Sequence, residues 1–177
     1  MRKILVVVDM QKDFVDKNVL GNDECFAVIE KIKNKISNGN YDEIIFTQDT
    51  HPENYLETRE GKKLPVKHCI NGTDGWNIVE DLVIAAKNST ENKVHYICKE
   101  TFGSVDLGNF IKSMGEDIVV EFVGVCTGIC VISNVLLVRA FCPEINLIVD
   151  SDCCACVTIE SHNVALEAMK MCQVDVI

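Results

Sequence analysis

The residues with the clearest chemical potential lie in Val123-Gly124-Val125-Cys126-Thr127-Gly128-Ile129-Cys130-Val131. The apolar run 118–123 reads as a buried strand and 132–140 as a helix, so Cys130 falls at a strand-to-helix turn with two glycines. At such a turn backbone N–H groups point outward and the helix dipole favours negative charge. That setting lowers a thiol pKa and yields a usable thiolate. For one cysteine alone, a small buried residue in a turn is the plainer account. A thiolate also needs a base and something to stabilise an oxyanion. Asp9 can be the base, because burial beside a sheet raises a carboxyl pKa. Lys99 can hold Asp9 in register and lend positive charge, and the turn 125–127 can offer N–H groups to an oxyanion. Each has a bland alternative, a buried Asp9–Lys99 ion pair and a core Cys130. Their joint placement at one edge favours catalysis.

A second constellation is Asp49-Thr50-His51 with His68 further along. One carboxylate and two imidazoles suit a divalent transition metal with open positions, and Glu60 or Glu57 could add an oxygen. The alternative is a loop cap at His51 and a solvated His68. His95 falls inside a strand and His162 in the last helix, and both read as structural.

These residues must be positioned by a chain of 177 residues, enough for one domain, 1–177, with a proper core. A net charge of −10 argues against nucleic acid and anionic membrane surfaces. No apolar run reaches membrane-span length. Met1-Arg2-Lys3 leads straight into a strand with no signal-peptide pattern, so a cytoplasmic protein is expected. The ten cysteines then read as buried thiols plus a few with chemistry. Cys153-Cys154-Ala155-Cys156 holds a C-x-x-C that lacks a second pair at zinc-finger spacing. It reads as structural, in a tight turn after a strand.

Strands are expected at 4–8, 43–47, 94–98, 118–123, 145–149 and 174–177. Helices are expected at 22–36, capped by Asn22 or Asp23, at 74–86, at 105–114, at 132–140, and at 158–171 with Thr158 as cap. Cys25, Ile29, Ile32 and Ile36 share a face of the first, and Val164, Leu166 and Met169 are available to the core from the last. Trp76 is expected to pack against the core. Residues 48–75 show no periodicity, which suggests a functional loop or lid. This alternation predicts a three-layer α/β/α doubly wound fold with a mainly parallel six-stranded sheet. In such sheets ligands bind at the carboxyl ends of the strands. Asp9, Asp49, His51, Lys99 and Cys130 all follow such ends, so the fold should gather them at one edge.

Over nearly its whole length the chain resembles the isochorismatase-like cysteine hydrolases, and among them the nicotinamidases. The resemblance rests on Val7-Val8-Asp9-Met10-Gln11-Lys12-Asp13-Phe14, Thr47-Gln48-Asp49-Thr50-His51, His68-Cys69-Ile70-Asn71-Gly72-Thr73, Lys99, and Gly124 to Val131. It implies a triad of Asp9, Lys99 and Cys130, and a metal held by Asp49, His51 and His68 with Glu60 as a fourth ligand. Zinc leads, with iron or manganese as alternatives. It implies a cis peptide between Val125 and Cys126, an oxyanion hole from the N–H groups of Cys126 and Cys130, and Phe14 and Phe102 bordering an aromatic substrate ring. The chain departs from the pattern at Gly128, where many relatives carry Asp, and at Leu64, where many nicotinamidases have an aromatic. The implied activity is hydrolysis of nicotinamide in pyridine-nucleotide salvage, on a small-molecule amide, by a homo-oligomer. Hydrolysis of another small amide, an isochorismatase-type reaction, or a non-catalytic binding module are the alternatives.

Overall fold

The computed structural model describes residues 1–90 and 93–177. Its strands are β1 (Arg2–Val8), β2 (Glu43–Asp49), β3 (Val94–Lys99), β4 (Ile118–Val125), β5 (Asn146–Ala155) and β6 (Asp175–Val176). Its helices are α1 (Lys12–Val15), α2 (Asp23–Asn38), α3 (Glu80–Ser89), α4 (Val105–Ser113), α5 (Ile132–Phe141) and α6 (Ile159–Met171). The sheet runs β3-β2-β1-β4-β5-β6, and every neighbouring pair is parallel. The expected mainly parallel sheet is therefore wholly parallel among the described residues.

Strand alternation divides the core. Leu5, Val7, Ile44, Phe46, Val123 and Val125 meet α2 and α3 through Val28, Ile32, Ile36, Leu82 and Ala86. Ile4, Val6, Val8, Val120 and Phe122 meet α4, α5 and α6 through Leu107, Ile111, Val135, Val138, Leu166 and Met169. Both faces of β1 are covered, which is why it reads as an unbroken aliphatic run. Each fully buried Ile or Leu contributes about 1.5–3 kcal/mol. The chain leaves β1 toward one side and β4 toward the other, so the crevice between their carboxyl ends is the topological switch point. The two strands come close enough that a Cβ on Gly124 (φ +120°) would lie 2.2 Å from the Val8 carbonyl oxygen. Only glycine fits there.

Cap chemistry sets several boundaries. Asn22 Oδ1 accepts the Cys25 N–H, and Thr158 forms a reciprocal cap with Ser161. Four expectations need correction. The helix expected at 74–86 begins only at Glu80, because Ile78 bridges Gln11 and the Trp76 carbonyl is taken by Gln11 and Gln48. Trp76 is half-buried and donates to Thr50 Oγ1 instead of packing in the core. Val164 is 70% exposed, on the outer face of α6. The strand expected to stop at 149 runs to Ala155, with an irregularity opposite Phe122/Gly124, so Cys153 and Cys154 are strand residues and not a turn. The four-residue α1 was not anticipated, because so short a turn carries no periodicity.

Candidate active site

Asp9 sits just past β1 with φ 49°, a left-handed conformation that turns its side chain off the strand. Its Oδ1 accepts the Thr47 hydroxyl at 2.6 Å, and its N–H donates back to Thr47 Oγ1. Its Oδ2 lies 2.6 Å from Lys99 Nζ, yet no donor among the described residues meets it at a good hydrogen-bonding angle. Lys99, at the end of β3, also reaches Asp49 Oδ1 at 3.2 Å and Cys130 Sγ at 3.8 Å. All four side chains are buried.

Burial pushes the Asp9 carboxyl up, and Lys99 only partly offsets it. Burial acts against the Lys99 ammonium, but the charges of Asp9, Cys130 and Asp49 outweigh it and hold the lysine protonated. The Cys130 thiol is also pushed well above its ordinary range, by burial first and then by Asp9, against the pull of Lys99. This corrects the expectation of a lowered thiol pKa. Cys130 lies within a π-helical turn, Thr127–Val131, rather than at an open helix start, and it is 5% exposed. Enclosure costs the thiolate more than nearby donors return. The peptide between Val125 and Cys126 is cis, as the resemblance implied.

Beside this cluster, ligand atoms of Asp49, His51, Glu60 and His68 lie within 4.8 Å of one another. His51 Nε2 is 2.9 Å from Asp49 Oδ2, and His68 Nε2 is 3.8 Å from both Asp49 Oδ2 and Glu60 Oε1. His68 Nδ1 faces the Val66 carbonyl at 2.8 Å, which turns Nε2 inward. At Asp49, burial acts upward but is outweighed by the His51 hydrogen bond and the Lys99 charge, so its pKa is lowered. Glu60 completes the set, while Glu57 faces Asn54 from the surface. Two carboxylates and two imidazoles converge from a strand end and a loop, a donor set that suits a divalent metal such as zinc.

Three supporting residues were passed over in the sequence. Buried Gln11 accepts the Asp49 N–H at 2.7 Å and donates to the Asp49 carbonyl at 2.8 Å, clamping the strand end that carries the ligand. Fully buried Tyr55 packs its ring 4.7 Å from His51 and 5.0 Å from His68 and donates to the Leu64 carbonyl. Buried Asn134, one helical turn after Cys130, donates to the carbonyls of Cys130 and Phe102. Gln11 lay inside the quoted 7–14 stretch. Tyr55 gave no signal beyond its place in the aperiodic loop.

A cavity of about 760 Å³ opens beside His51 and Glu60, with Phe102, Thr101 and Asn71 on its walls. Phe102 is 45% exposed. Phe14 lies outside the cavity lining and instead packs on the His68 ring at 5.4 Å. His95 and His162 are elsewhere, against Glu43 and Thr127. Among the described residues no helix is long and apolar enough to cross a membrane.

The fold class is α/β, a six-stranded parallel sheet covered by helices on both faces. The family follows from the sequence as a whole: the Isochorismatase domain matches residues 3–177, and the chain belongs to that family. Among solved structures it is similar to the pyrazinamidase of Pyrococcus horikoshii in complex with zinc, at 26% identity and TM-score 0.80 over 100% of this chain and 99% of that one. The pyrazinamidase/nicotinamidase from Streptococcus mutans UA159 gives 24% identity and TM-score 0.83 over 99% of both chains. PnC1 from L. infantum in complex with nicotinate gives 20% and 0.80 over 99% of this chain and 92% of that one. No curated protein matches the chain.

Proposed function

We propose that the protein is an amidase that hydrolyses nicotinamide to nicotinic acid and ammonia through a thioester on Cys130. The observation that carries this reading is Lys99 Nζ standing 2.6 Å from Asp9 and 3.8 Å from Cys130 Sγ, one residue's reach from the four-donor set. The zinc and nicotinate named for two similar structures agree with it.

Asp9 takes the Cys130 proton as sulfur attacks the carboxamide carbon. Burial raises the Asp9 carboxyl, so the base is stronger than a solvated aspartate, which offsets part of the cost of deprotonating the raised Cys130 thiol. The proton goes to Oδ2, the oxygen left without a directed donor. The N–H groups of Cys126 and Cys130 receive the oxyanion. Asp9 then gives its proton to departing ammonia and serves as base again when water cleaves the thioester. Lys99 stabilises the developing sulfur charge throughout. A divalent metal held by Asp49, His51, Glu60 and His68 would supply a Lewis-acidic anchor for the ring nitrogen, with Phe102 flanking the ring and Phe14 backing His68 from behind. The protein acts as one domain, in the cytoplasm, as a homo-oligomer in pyridine-nucleotide salvage.

A second reading, hydrolysis of a larger small-molecule amide, is favoured by the cavity alone, whose volume lies in the range of drug-sized ligand sites. The test is ammonia release from zinc-loaded protein given nicotinamide or bulkier amides, with a Cys130→Ala control. Nicotinamide turnover that falls at least about 10⁴-fold in Cys130→Ala supports the first reading. Turnover of bulkier amides alone selects the second. Turnover that survives Cys130→Ala overturns both.

A further inference from the structure

Helix α5 buries Asn134 together with Val135 and Val138. The amide is fully enclosed, and all of its polar groups are used. Its Nδ2 donates to the Cys130 carbonyl at 2.8 Å and to the Phe102 carbonyl at 3.0 Å. Its Oδ1 accepts the Ser104 N–H at 2.9 Å. Exchanging the amide oxygen and nitrogen would set an oxygen against two carbonyls, so this network fixes the orientation. A third valine would fill the same kind of site without burying an amide. The amide is explained by the three backbone groups it holds in one geometry.

Those groups belong to two segments. Cys130 carries the nucleophile, and Phe102 lines the cavity beside His51 and Glu60. Phe102 is too exposed for its ring to be placed by enclosure, so its backbone sets where the ring stands. The loop 100–103 leaves Lys99 at the end of β3 and ends at Ser104, whose hydroxyl accepts the Leu107 N–H and caps α4. Asn134 grips this loop on both sides of Gly103. A Cβ on Gly103 would lie 3.2 Å from the Ser133 carbonyl oxygen, closer than most real contacts, so the loop rests on the backbone of α5.

We propose that Asn134 is a positioning residue that ties the Phe102 wall to the Cys130 turn and so sets the distance between a bound aromatic ring and the sulfur. The inference rests on the reading of Cys130 as the nucleophile of an amidase and deepens it to the choice of substrate. An aromatic amide gains from the tie because its ring needs a wall at a fixed distance from the attacked carbon. An amide without a ring touches no such wall and gains nothing from it.

The experiment separates the two ends of the tie. Asn134→Thr places a hydroxyl on α5 that can bond the carbonyl one turn back, that of Cys130. A hydroxyl has one proton to donate, so the Phe102 carbonyl is then released. The full chain is alkylated with iodoacetamide and, separately, with N-phenyliodoacetamide, and the rate at Cys130 is read by peptide mass spectrometry. The ratio of the aromatic rate to the plain one should fall about 10-fold in Asn134→Thr and in Phe102→Ala, and no further in the double variant, because both changes remove the same wall. With nicotinamide, Asn134→Thr should raise KM about 10-fold with a smaller change in kcat. Asn134→Leu loses both ends and should slow even plain alkylation of Cys130 about 10²-fold.

A ratio left at the parent value by Asn134→Thr overturns the proposal, as do losses in Asn134→Thr and Phe102→Ala that multiply in the double variant. A loss of stability without a change in the ratio assigns Asn134 to packing alone and also overturns it. Failure of the parent chain to release ammonia from nicotinamide removes the nicotinamidase reading, and the alkylation ratio still decides the tie. Asn134→Thr decides it even where Asn134→Leu does not fold.

Discussion

The molecule builds the same ionic motif twice, a lysine between two carboxylates. Lys99 joins Asp9 and Asp49 at the carboxyl edge of the sheet. Lys35 of α2 joins Glu121 and Asp150 on the sheet face, each at 2.5 Å, and Tyr41 donates to the free Glu121 oxygen. The residue types match and the chemistry does not. The Lys35 group is partly solvated, with side chains 13–18% exposed, and its oxygens are met by donors. At Asp150 burial acts upward, but Lys35 outweighs it and lowers the pKa. The Lys99 group is almost fully enclosed, leaves an Asp9 oxygen without a directed donor, and borders a thiol. An ion triplet becomes chemically useful through incomplete satisfaction beside a thiol, not through its composition.

The sharpest way to break this comparison is to neutralise each lysine. Lys99→Met should lower nicotinamide turnover by at least about 10³-fold and cost about 3–5 kcal/mol of stability by leaving two buried carboxylates unpaired. Lys35→Met should cost a smaller amount, about 1–3 kcal/mol, in urea unfolding and leave turnover unchanged. Equal losses of turnover would show that the groups do not differ in role.

The clamp on Asp49 comes next. Gln11→Leu leaves the Asp49 N–H and carbonyl without their partner, at about 1–3 kcal/mol, and should weaken zinc binding about 10–100-fold in a competition titration. On the other triplet, Tyr41→Phe removes one hydrogen bond and should cost about 1 kcal/mol, with zinc affinity unaltered.

The finest contrast is in pH. Asp150, lowered from 3.8, contributes stability that is complete above that value and is lost as pH falls through its folded pKa. Asp9, raised from 3.8, has the opposite sign: its contribution is complete below 3.8 and is lost as pH rises through its folded pKa. Urea midpoints across a pH series should show Asp150→Asn shrinking the acid-side loss and Asp9→Asn shrinking the loss above 3.8. The same sign from both variants would remove the distinction.

Sequence alone determined the strand–helix alternation, and with it the edge at which Asp9, Asp49, Lys99 and Cys130 meet, because strand ends in a parallel sheet share one side. Local cap chemistry was equally legible at Asn22 and Thr158, since a cap acts within a single turn. Where partners lie far apart in the chain, pattern was silent. The helix start at Glu80 depends on Gln11 and Gln48 taking the Trp76 carbonyl, and the choice of Glu60 over Glu57 depends on how an aperiodic loop folds under Tyr55. Tertiary structure alone decided the thiol state of Cys130. A helix-start rule favours the thiolate, but enclosure of the sulfur beside a carboxylate outweighs it, and enclosure is a property of the whole packed molecule.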